Sequence, residues 1–240
     1  MKVSIEEYRE TNNQYWQSEY QTKYPDTSLV KLYHHRLKKD ISPSLNFRVL
    51  DYGCSNGTNA FFFSSLGMKV YGVDVNKIAI NKAKLHVDKN KLQAEFAAIP
   101  FEVSEKDIFF GGNFDFIYSW YTLCYLSNSD LKTRIQSLAN QLKPNGLFVA
   151  SMVGSKTANY AITSPAEDGL RKFPIVDRIK DLHPSEHYCN FIQNEKELIS
   201  KFPMFTMKHV GYINESFSVT PKSSNNLFHY IFVGQKPDTK

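Results

Sequence analysis

Long apolar stretches are missing from this chain of 240 residues. No run reaches the length of about 18 apolar residues that a membrane-spanning helix needs, so we expect no membrane span. The first residues, MKVSIEEYRE, are polar and acidic and lack the apolar core of a secretory signal, so we expect no signal peptide. The length suits one α/β domain with insertions, and we predict a single domain over residues 1–240.

Cysteine is also scarce. The three cysteines, Cys54, Cys124 and Cys189, do not have the spacing of a metal site. Their odd number argues against a framework of disulfides. These observations predict a reducing, cytoplasmic setting and no bound metal.

A massed run of positive charge is the third absence. The formal net charge is +5, from 29 Lys and Arg against 24 Asp and Glu, and the basic residues are spread along the chain. Proteins that bind nucleic acid concentrate Lys and Arg on one face or in one run. The pattern therefore favours solubility or a small anionic substrate over nucleic acid. We expect a small-molecule partner, no membrane, and a monomer or homodimer.

The most informative stretch that is present covers residues 47–76, where apolar runs alternate with small residues. A first apolar run ends at Asp51, and a turn containing Gly53 and Gly57 follows it. A helical-looking apolar stretch comes next, and a second apolar run ends at Asp74. This order predicts a strand–turn–helix–strand unit with a carboxylate at the tip of each strand.

The turn and the second carboxylate suit a nucleoside-type ligand. Glycine accepts positive φ and has no Cβ, so the backbone at Gly53 and Gly57 can approach a ligand closely. Asp74 follows Asp51 by 23 positions, where a βαβ unit presents an acid to ribose hydroxyls. The turn reads GxxxG, whereas dinucleotide folds use GxGxxG, so NAD or FAD is the weaker interpretation. An ordinary α/β domain with a chance glycine-rich turn remains an alternative.

The segments DYGCSNG and VYGVDVN resemble motifs I and II of the class I S-adenosylmethionine (SAM) dependent methyltransferases. The usual first motif is D-x-G-C-G-x-G, and Ser55 stands where its middle glycine normally lies. The resemblance implies an α/β fold with a Rossmann-like, doubly wound, seven-stranded sheet, strand order 3-2-1-4-5-7-6 and an antiparallel strand 7. It also implies SAM as the cofactor, S-adenosylhomocysteine (SAH) as its product and no metal.

The same resemblance implies how the cofactor is held. Asp74 would bind the ribose hydroxyls, and Asp51 with the glycine turn would hold the amino-acid end, partly through water. Glu102 is the best positional match for the acid that receives the adenine amine, with the Val103 N–H beside it. Asp107 is an alternative, and Glu102 as a solvated surface charge is another.

The segment after the fourth predicted strand would meet the transferred methyl group. Ser119 and Trp120 should face the pocket there, because ligands of doubly wound sheets bind beyond the carboxyl ends of the strands. Trp120 as a core tryptophan is the alternative. The expected cofactor contacts are Asp51, Gly53, Cys54, Ser55, Gly57, Asp74, Val75, Glu102, Val103, Ser119 and Trp120.

Residues 1–46 precede the first predicted strand and are rich in aromatic side chains. A turn there predicts a helix capped by Asp26 or by the threonine after it. The pattern resembles a subgroup of bacterial small-molecule methyltransferases in which this segment lies at the mouth of the site. We interpret it as a helical lid with Tyr15, Trp16 and Tyr24 as substrate contacts. An amphipathic helix covering a sheet edge is the alternative.

Residues 153–192 interrupt the alternation of strands and helices with glycine, serine and proline. Insertions of this length in a compact domain are usually functional, and we interpret this one as a cover over the substrate. It contains His183, His187 and Tyr188. Pro184 argues against a helix that would align the two histidines, and no companion ligand supports a metal site. The histidines are candidates for a general base, with a hydrogen-bonded structural role as the alternative.

Together, these patterns predict a SAM-dependent methyltransferase that acts on a small molecule. The acceptor would be a hydroxyl or an amine of a sugar, a nucleotide-linked compound or a related metabolite. His187 is the first candidate base and His183 the second. Tyr121 and Tyr188 complete the expected substrate contacts. The alternatives are an RNA or protein methyltransferase and a SAM-binding protein without catalysis.

Overall fold

The computed structural model describes residues 4–17, 23–174, 186–216 and 226–238. The candidate base His183 lies outside these residues. The helices are α1 Ile5–Trp16, α2 Thr27–Leu32, α3 Thr58–Ser65, α4 Lys77–Asn90, α5 Asn128–Gln141 and α6 Glu195–Ser200. The strands are β1 Arg48–Tyr52, β2 Lys69–Asp74, β3 Ala94–Ala98, β4 Phe114–Ser119, β5 Leu142–Val153, β6 Ser164–Pro165, β7 Leu170–Phe173, β8 His187–Asn190, β9 Thr206–Ser216 and β10 Asn226–Gln235.

The main sheet has seven strands in the order β3-β2-β1-β4-β5-β10-β9. The first five pair in parallel, while β10 is antiparallel to both β5 and β9. In chain order this is 3-2-1-4-5-7-6 with strand 7 antiparallel, which confirms the predicted α/β, Rossmann-like, doubly wound sheet. The carboxyl ends of the parallel strands and of β9, and the start of β10, therefore meet at one edge.

Both faces of the sheet are buried. Successive residues of β1 point to opposite sides: Val49 packs in one apolar cluster, and Leu50 packs in the other. Helix α3 contributes Phe63 to the first cluster, while α5 contributes Leu131 and Leu138 to the second. Strands covered on both faces read as continuous apolar runs, which is why β1, β2 and β4 were visible in the sequence.

Two local features shape the connections, and the first confirms the predicted cap. The Asp26 carboxylate caps α2 by accepting from the N–H groups of Ser28 at 2.8 Å and Leu29 at 3.1 Å. Asn145, in the turn that interrupts the pairing of β4 with β5, has a left-handed φ of 61°. Asparagine visits this conformation more readily than most residues, so the turn forms without a second glycine.

The described part of the chain after β5 forms more β-structure than its glycine and proline content suggested. Strands β6, β7 and β8 form a small antiparallel sheet. A bridge between Gly154 and Ile192 joins the end of this segment to the main domain. Short strands tolerate the interrupting residues because each strand spans only two to four residues.

Candidate cofactor-binding site

A cavity of about 440 Å³ opens at the edge where the strands of the main sheet end. This volume lies in the range of small-molecule sites. The described lining comes from the residues that follow β1, β2, β3 and β4, from α1 and the turn before α2, and from the adjoining ends of β9 and β10. Of the residues expected from the sequence, the lining contains Trp16, Tyr24, Gly53, Cys54, Ser55, Asp74, Val75, Trp120 and Tyr121.

Gly53 is the tightest point of the turn after β1. Its φ is +82°, and an added Cβ would lie only 2.1 Å from Thr122 Oγ1. The N–H groups of Gly53 and Cys54 both donate to the Val73 carbonyl, at 2.8 and 3.0 Å. The turn is thus clamped between β2 and the segment after β4, and only glycine fits its conformation and its space.

Ser55 occupies the place of the expected middle glycine and keeps the backbone form of a glycine. Its φ is +48°, in the left-handed region. Its N–H donates to Asp74 Oδ2 at 2.7 Å, a charge-assisted hydrogen bond that offsets part of the strain. The departure from the usual motif therefore leaves the path of the loop intact.

Asp74 ends β2 and lies at the centre of the cofactor side of the cavity. Its two carboxylate oxygens accept from the N–H groups of Ser55 and Asn76, at 2.7 and 2.8 Å. Burial raises the pKa of Asp74, and the backbone hydrogen bonds oppose that rise. A carboxylate has about four acceptor sites, so lone pairs remain for the two hydroxyls of a ribose. These free acceptor positions fit the ribose of a nucleoside cofactor.

Asp51 lies behind the cavity and is absent from its described lining. The carboxyl is 1% exposed and accepts from the Tyr118 hydroxyl at 2.7 Å. Burial raises the pKa of Asp51 to about 8, with a further rise from Asp74 and an opposing effect of the Tyr118 hydrogen bond. In this geometry the Asp51 side chain links β1 to β4 behind the cavity.

The expected adenine contacts, Glu102 and Val103, do not reach the described lining. The Ile99 N–H donates to the Asp74 carbonyl at 2.9 Å, which holds Ile99 at the cavity, and Phe101 lines it as well. The chain then turns away from the cavity, and the Glu102 carbonyl lies near Arg134 of α5. We expected an acid here, whereas apolar side chains line the cavity directly after β3.

The segment after β4 is held in a strained form. Tyr121 has a φ of +57°, which is rare for an aromatic residue and is often found at functional sites. Its N–H donates to Ser151 Oγ at 2.7 Å. Trp120 lines the cavity at 4% exposure, while Ser119 is fully buried and donates to the Tyr52 carbonyl at 3.0 Å. Ser119 therefore contacts the sheet and not the cavity.

The residues proposed from the N-terminal segment and the insertion divide into two groups. Trp16 and Tyr24 line the cavity, whereas Tyr15 is absent from the described lining. His187 is 1% exposed and is stacked between Tyr15 at 4.2 Å and Phe173 at 4.5 Å. His187 is therefore buried in an aromatic stack and is absent from the described lining.

Tyr188 and Gly57 also lie outside the described lining. The Tyr188 main chain exchanges hydrogen bonds with the Asn12 side chain, at 2.7 and 3.1 Å. Gly57 precedes α3 with a φ of +82°, and its Cβ position is closed by the rings of Phe96 and Phe61. Both residues therefore serve the packing around the site.

Several lining residues were not singled out from the sequence. They come from the turn before α2, the start of α3, the segments after β3 and β4, and the adjoining ends of β9 and β10. Strand topology alone brings the distant ones to the cavity. They include Asp26, Thr58, Asn59, Ile99, Phe101, Thr122, Tyr125, Glu215 and Leu227.

The described residues contain neither a metal-binding cluster nor a membrane-spanning helix. No group of three or more His, Cys, Asp or Glu side chains among them is arranged to hold a metal ion. Among the helices in the described ranges, none is long and apolar enough to cross a membrane.

Comparisons with known proteins agree with this geometry. Residues 49–146 match the family model described as a methyltransferase domain. A ubiquinone biosynthesis O-methyltransferase of Bradyrhizobium diazoefficiens is 32% identical over 129 residues, which cover 53% of this chain and 48% of that protein. The protein of the same name from Pelagibacter ubique is 31% identical over 156 residues, 63% of this chain and 62% of that one. The chain thus spans about half to three fifths of the length of these curated relatives.

A solved SAM-dependent methyltransferase from Methanosarcina mazei has the same fold. It superposes with a TM-score of 0.66 at 20% identity, covering 85% of this chain and 97% of that one. The Gly53 turn and Asp74 lie within the matched domain, and their geometry fits the cofactor of that family. Residues 49–146 are thus similar to the methyltransferase domain family, and the fold is that of a SAM-dependent methyltransferase.

Proposed function

We propose that this chain transfers a methyl group from SAM to a small-molecule acceptor. The observation that carries the proposal is the meeting of the Gly53 turn with the Asp74 carboxylate in a cavity large enough for cofactor and acceptor together. The curated relatives named as O-methyltransferases support the same reaction class. When bound, SAM supplies an electrophilic methyl group on a sulfonium.

The chain's own residues would act by positioning. Asp74 would accept from the ribose hydroxyls, and Ile99 and Phe101 would pack against the adenine. Gly53 would let the backbone come close to the amino-acid end of the cofactor. Holding donor and acceptor in reactive alignment supplies roughly 7–11 kcal/mol of such a barrier, so the geometry of the cavity would account for much of the rate.

The N-terminal segment and the insertion would complete one domain by covering the cavity. Trp16 at the end of α1 lines the cavity, and Asn12 of the same helix donates to the carbonyls of Tyr125 and Tyr188 at 2.9 and 3.1 Å. These bonds link α1 to the segment after β4 and to β8. A cover built in this way would exclude water from the reacting groups.

The acceptor atom would be a hydroxyl or an amine. The names of the relatives favour a hydroxyl, and the proposal retains the sugar and the nucleotide-linked compound as acceptor classes to be tested. His187 is a poor candidate for the base, because it lies in an aromatic stack away from the described lining. A base, if the acceptor needs one, would come from the lining itself.

Calorimetric titration with SAM and SAH tests the cofactor assignment. Asp74→Asn should weaken binding by about 1–3 kcal/mol, because an amide oxygen and an amide NH₂ cannot both accept from the backbone and the ribose. Glu95→Gln is the control, since Glu95 is an exposed carboxylate paired with Lys69 on the sheet edge. Equal SAM affinity in wild type and Asp74→Asn would refute the ribose role.

Transfer of labelled methyl to a panel of phenols, amines, sugars, nucleotide sugars and tRNA tests the reaction. Label on a small molecule is the expected result. Label confined to RNA or protein would replace the proposed substrate class. Tight SAH binding without transfer to any class would indicate a SAM-binding protein without catalysis.

A further inference from the structure

The charged side chains of the described cavity lining are all acidic. They are Asp26, Asp74 and Glu215, and the described lining contains no Lys, Arg or His. Because the whole chain carries a net charge of +5, an acidic lining is a local feature that the composition does not predict. An anionic acceptor would enter this cavity against like charge, which disfavours phosphate-bearing and carboxylate-bearing compounds.

Two of these carboxylates come from outside the unit that contains the glycine turn. Asp74 ends β2, whereas Glu215 lies near the end of β9, five strand positions along the sheet. Asp26 caps α2 and is linked to Glu215 by Ser28, whose hydroxyl donates to Glu215 Oε1 at 3.2 Å. Asp74 therefore marks the β2 end of the cavity and Glu215 the β9 end, while the Asp26 N–H donates to Asn59 Oδ1 of α3 at 2.8 Å.

Tyr121 joins Asp26 and Glu215 at the β9 end. Burial raises the pKa of its hydroxyl, and the nearby charges of Asp26 and Glu215 raise it further. The Trp120 indole N–H is close enough to the same hydroxyl to lower that pKa. Within the described chain this buried N–H makes no hydrogen bond of standard geometry. The Trp120 indole N–H therefore lies beside the Tyr121 hydroxyl at the wall of this end of the cavity.

Aromatic faces surround the same pair of acids. Trp120 and Tyr121 form the wall with their ring centroids 5.4 Å apart, and Tyr24 stands at the rim, 79% exposed. Aromatic faces combined with carboxylates recognise ammonium groups by cation–π attraction and ion pairing. Neutral ligands gain neither the ion pair nor the cation–π attraction, and anionic ligands are repelled by the carboxylates.

We propose that Asp26, Glu215, Tyr121 and Trp120 form an acceptor subsite that selects a compound carrying a positively charged amino group. This inference rests on the proposed function and specifies its acceptor. The ammonium would lie between Asp26 and Glu215, with the organic body of the acceptor against Trp120 and Tyr121. The strained backbone of Tyr121, held by Ser151, would keep the aromatic face in position.

Intrinsic fluorescence can test the subsite, because both tryptophans of the chain, Trp16 and Trp120, line the cavity. The protein loaded with SAH is titrated with phenethylamine, 2-phenylethanol and 3-phenylpropionate, which share a ring and differ in charge. We expect the amine to bind about tenfold more tightly than the alcohol, and the carboxylate to bind least. Binding of the amine should weaken as salt is added.

Three variants connect the preference to the subsite. Glu215→Gln removes one charge at constant size, and Asp26→Asn removes the other while keeping a residue that caps helices equally well. Each should reduce the amine-to-alcohol preference to about threefold or less, with alcohol affinity and SAH affinity unchanged. Glu95→Gln should behave as wild type, because Glu95 lies outside the described lining.

Several outcomes would overturn the subsite. They are equal binding of amine and alcohol, tighter binding of the carboxylate, an amine preference that survives both substitutions, and no binding of any probe at millimolar concentration. A loss of SAH affinity in Glu215→Gln would assign that carboxylate to the cofactor instead. Failure of SAM and SAH to bind the wild-type protein would refute the proposed function itself, so the two failures are distinguishable.

Discussion

Gly53→Ala is the most informative single substitution in the turn after β1. The new Cβ would lie 2.1 Å from Oγ1, 2.3 Å from Cγ2 and 2.5 Å from Cβ of Thr122. Because Thr122 Cβ is itself too close, a rotamer change cannot relieve the clash, and the backbone must move. Overpacking of this kind costs about 1–3 kcal/mol. The φ of +82° adds about 1–2 kcal/mol for a residue with a side chain.

Gly67→Ala provides the matched control. Gly67 has a φ of +88°, and nothing lies within 4 Å of its Cβ position. Both variants therefore carry the same left-handed strain and the same loss of chain entropy in the unfolded state, and only Gly53→Ala carries the clash. In denaturant unfolding we expect Gly53→Ala to be about 1–3 kcal/mol less stable than Gly67→Ala. Calorimetry should show SAM binding weakened about tenfold in Gly53→Ala alone.

Equal losses of stability in the two variants would refute the role of the contact with Thr122. Wild-type SAM affinity in Gly53→Ala would refute the link between this contact and binding, because Gly53 and Thr122 both line the cavity and a change in their separation must change the cavity. A large loss of stability in Gly67→Ala would show that φ strain, and not the contact with Thr122, dominates at both positions.

Three further predictions concern residues around the same turn. Ser55→Gly should keep SAM affinity within about threefold of wild type. Ser55→Val should destabilise the protein by more than about 1 kcal/mol, since a β-branched residue resists the left-handed region. Equal unfolding midpoints of Ser55→Val and wild type would contradict this. The pKa of Asp51 is raised to about 8 from about 3.9 in an unfolded chain, so its stabilisation is complete below about pH 4 and is lost as the pH rises toward 8. The free energy of unfolding should fall by about 1 kcal/mol per pH unit between about pH 5 and about pH 8 and level off above that, and Asp51→Asn should remove the fall; a slope that persists in the variant would exclude Asp51 as its source. His187→Ala should destabilise by about 2 kcal/mol through lost packing and leave turnover per folded molecule unchanged; a loss of turnover at full stability would restore it as the base.

Much of the fold was readable because its signals are local. Apolar runs ending in Asp51 and Asp74, with a glycine turn between them, define a βαβ unit within 30 residues of chain. The resemblance to the methyltransferase motifs extended this unit to the full strand order, which the sheet confirms. Asp26 as a cap was readable for the same reason, since a helix cap depends on its nearest neighbours in sequence.

The adenine contacts and the base were harder to predict, because residue type was the only guide. Glu102 is the acid that the motif predicts as the adenine contact after β3, yet Ile99 and Phe101 line the cavity there. A histidine was sought as the base, and His187 was chosen, yet it lies in a stack with Tyr15 and Phe173. Chemistry-bearing residue types do not reveal which way a side chain points.

By itself, the sequence determined the cofactor half of the site, because the glycine turn and Asp74 come from one continuous unit whose geometry follows from backbone conformation. Only the tertiary structure decided the other half. Asp26 and Glu215 are 189 positions apart in the chain. They line the same cavity because β9 ends at the same edge of the sheet as β1, and because Ser28 of α2 donates a hydrogen bond to Glu215. Charge at the acceptor end is therefore a property of strand order, which no local pattern encodes.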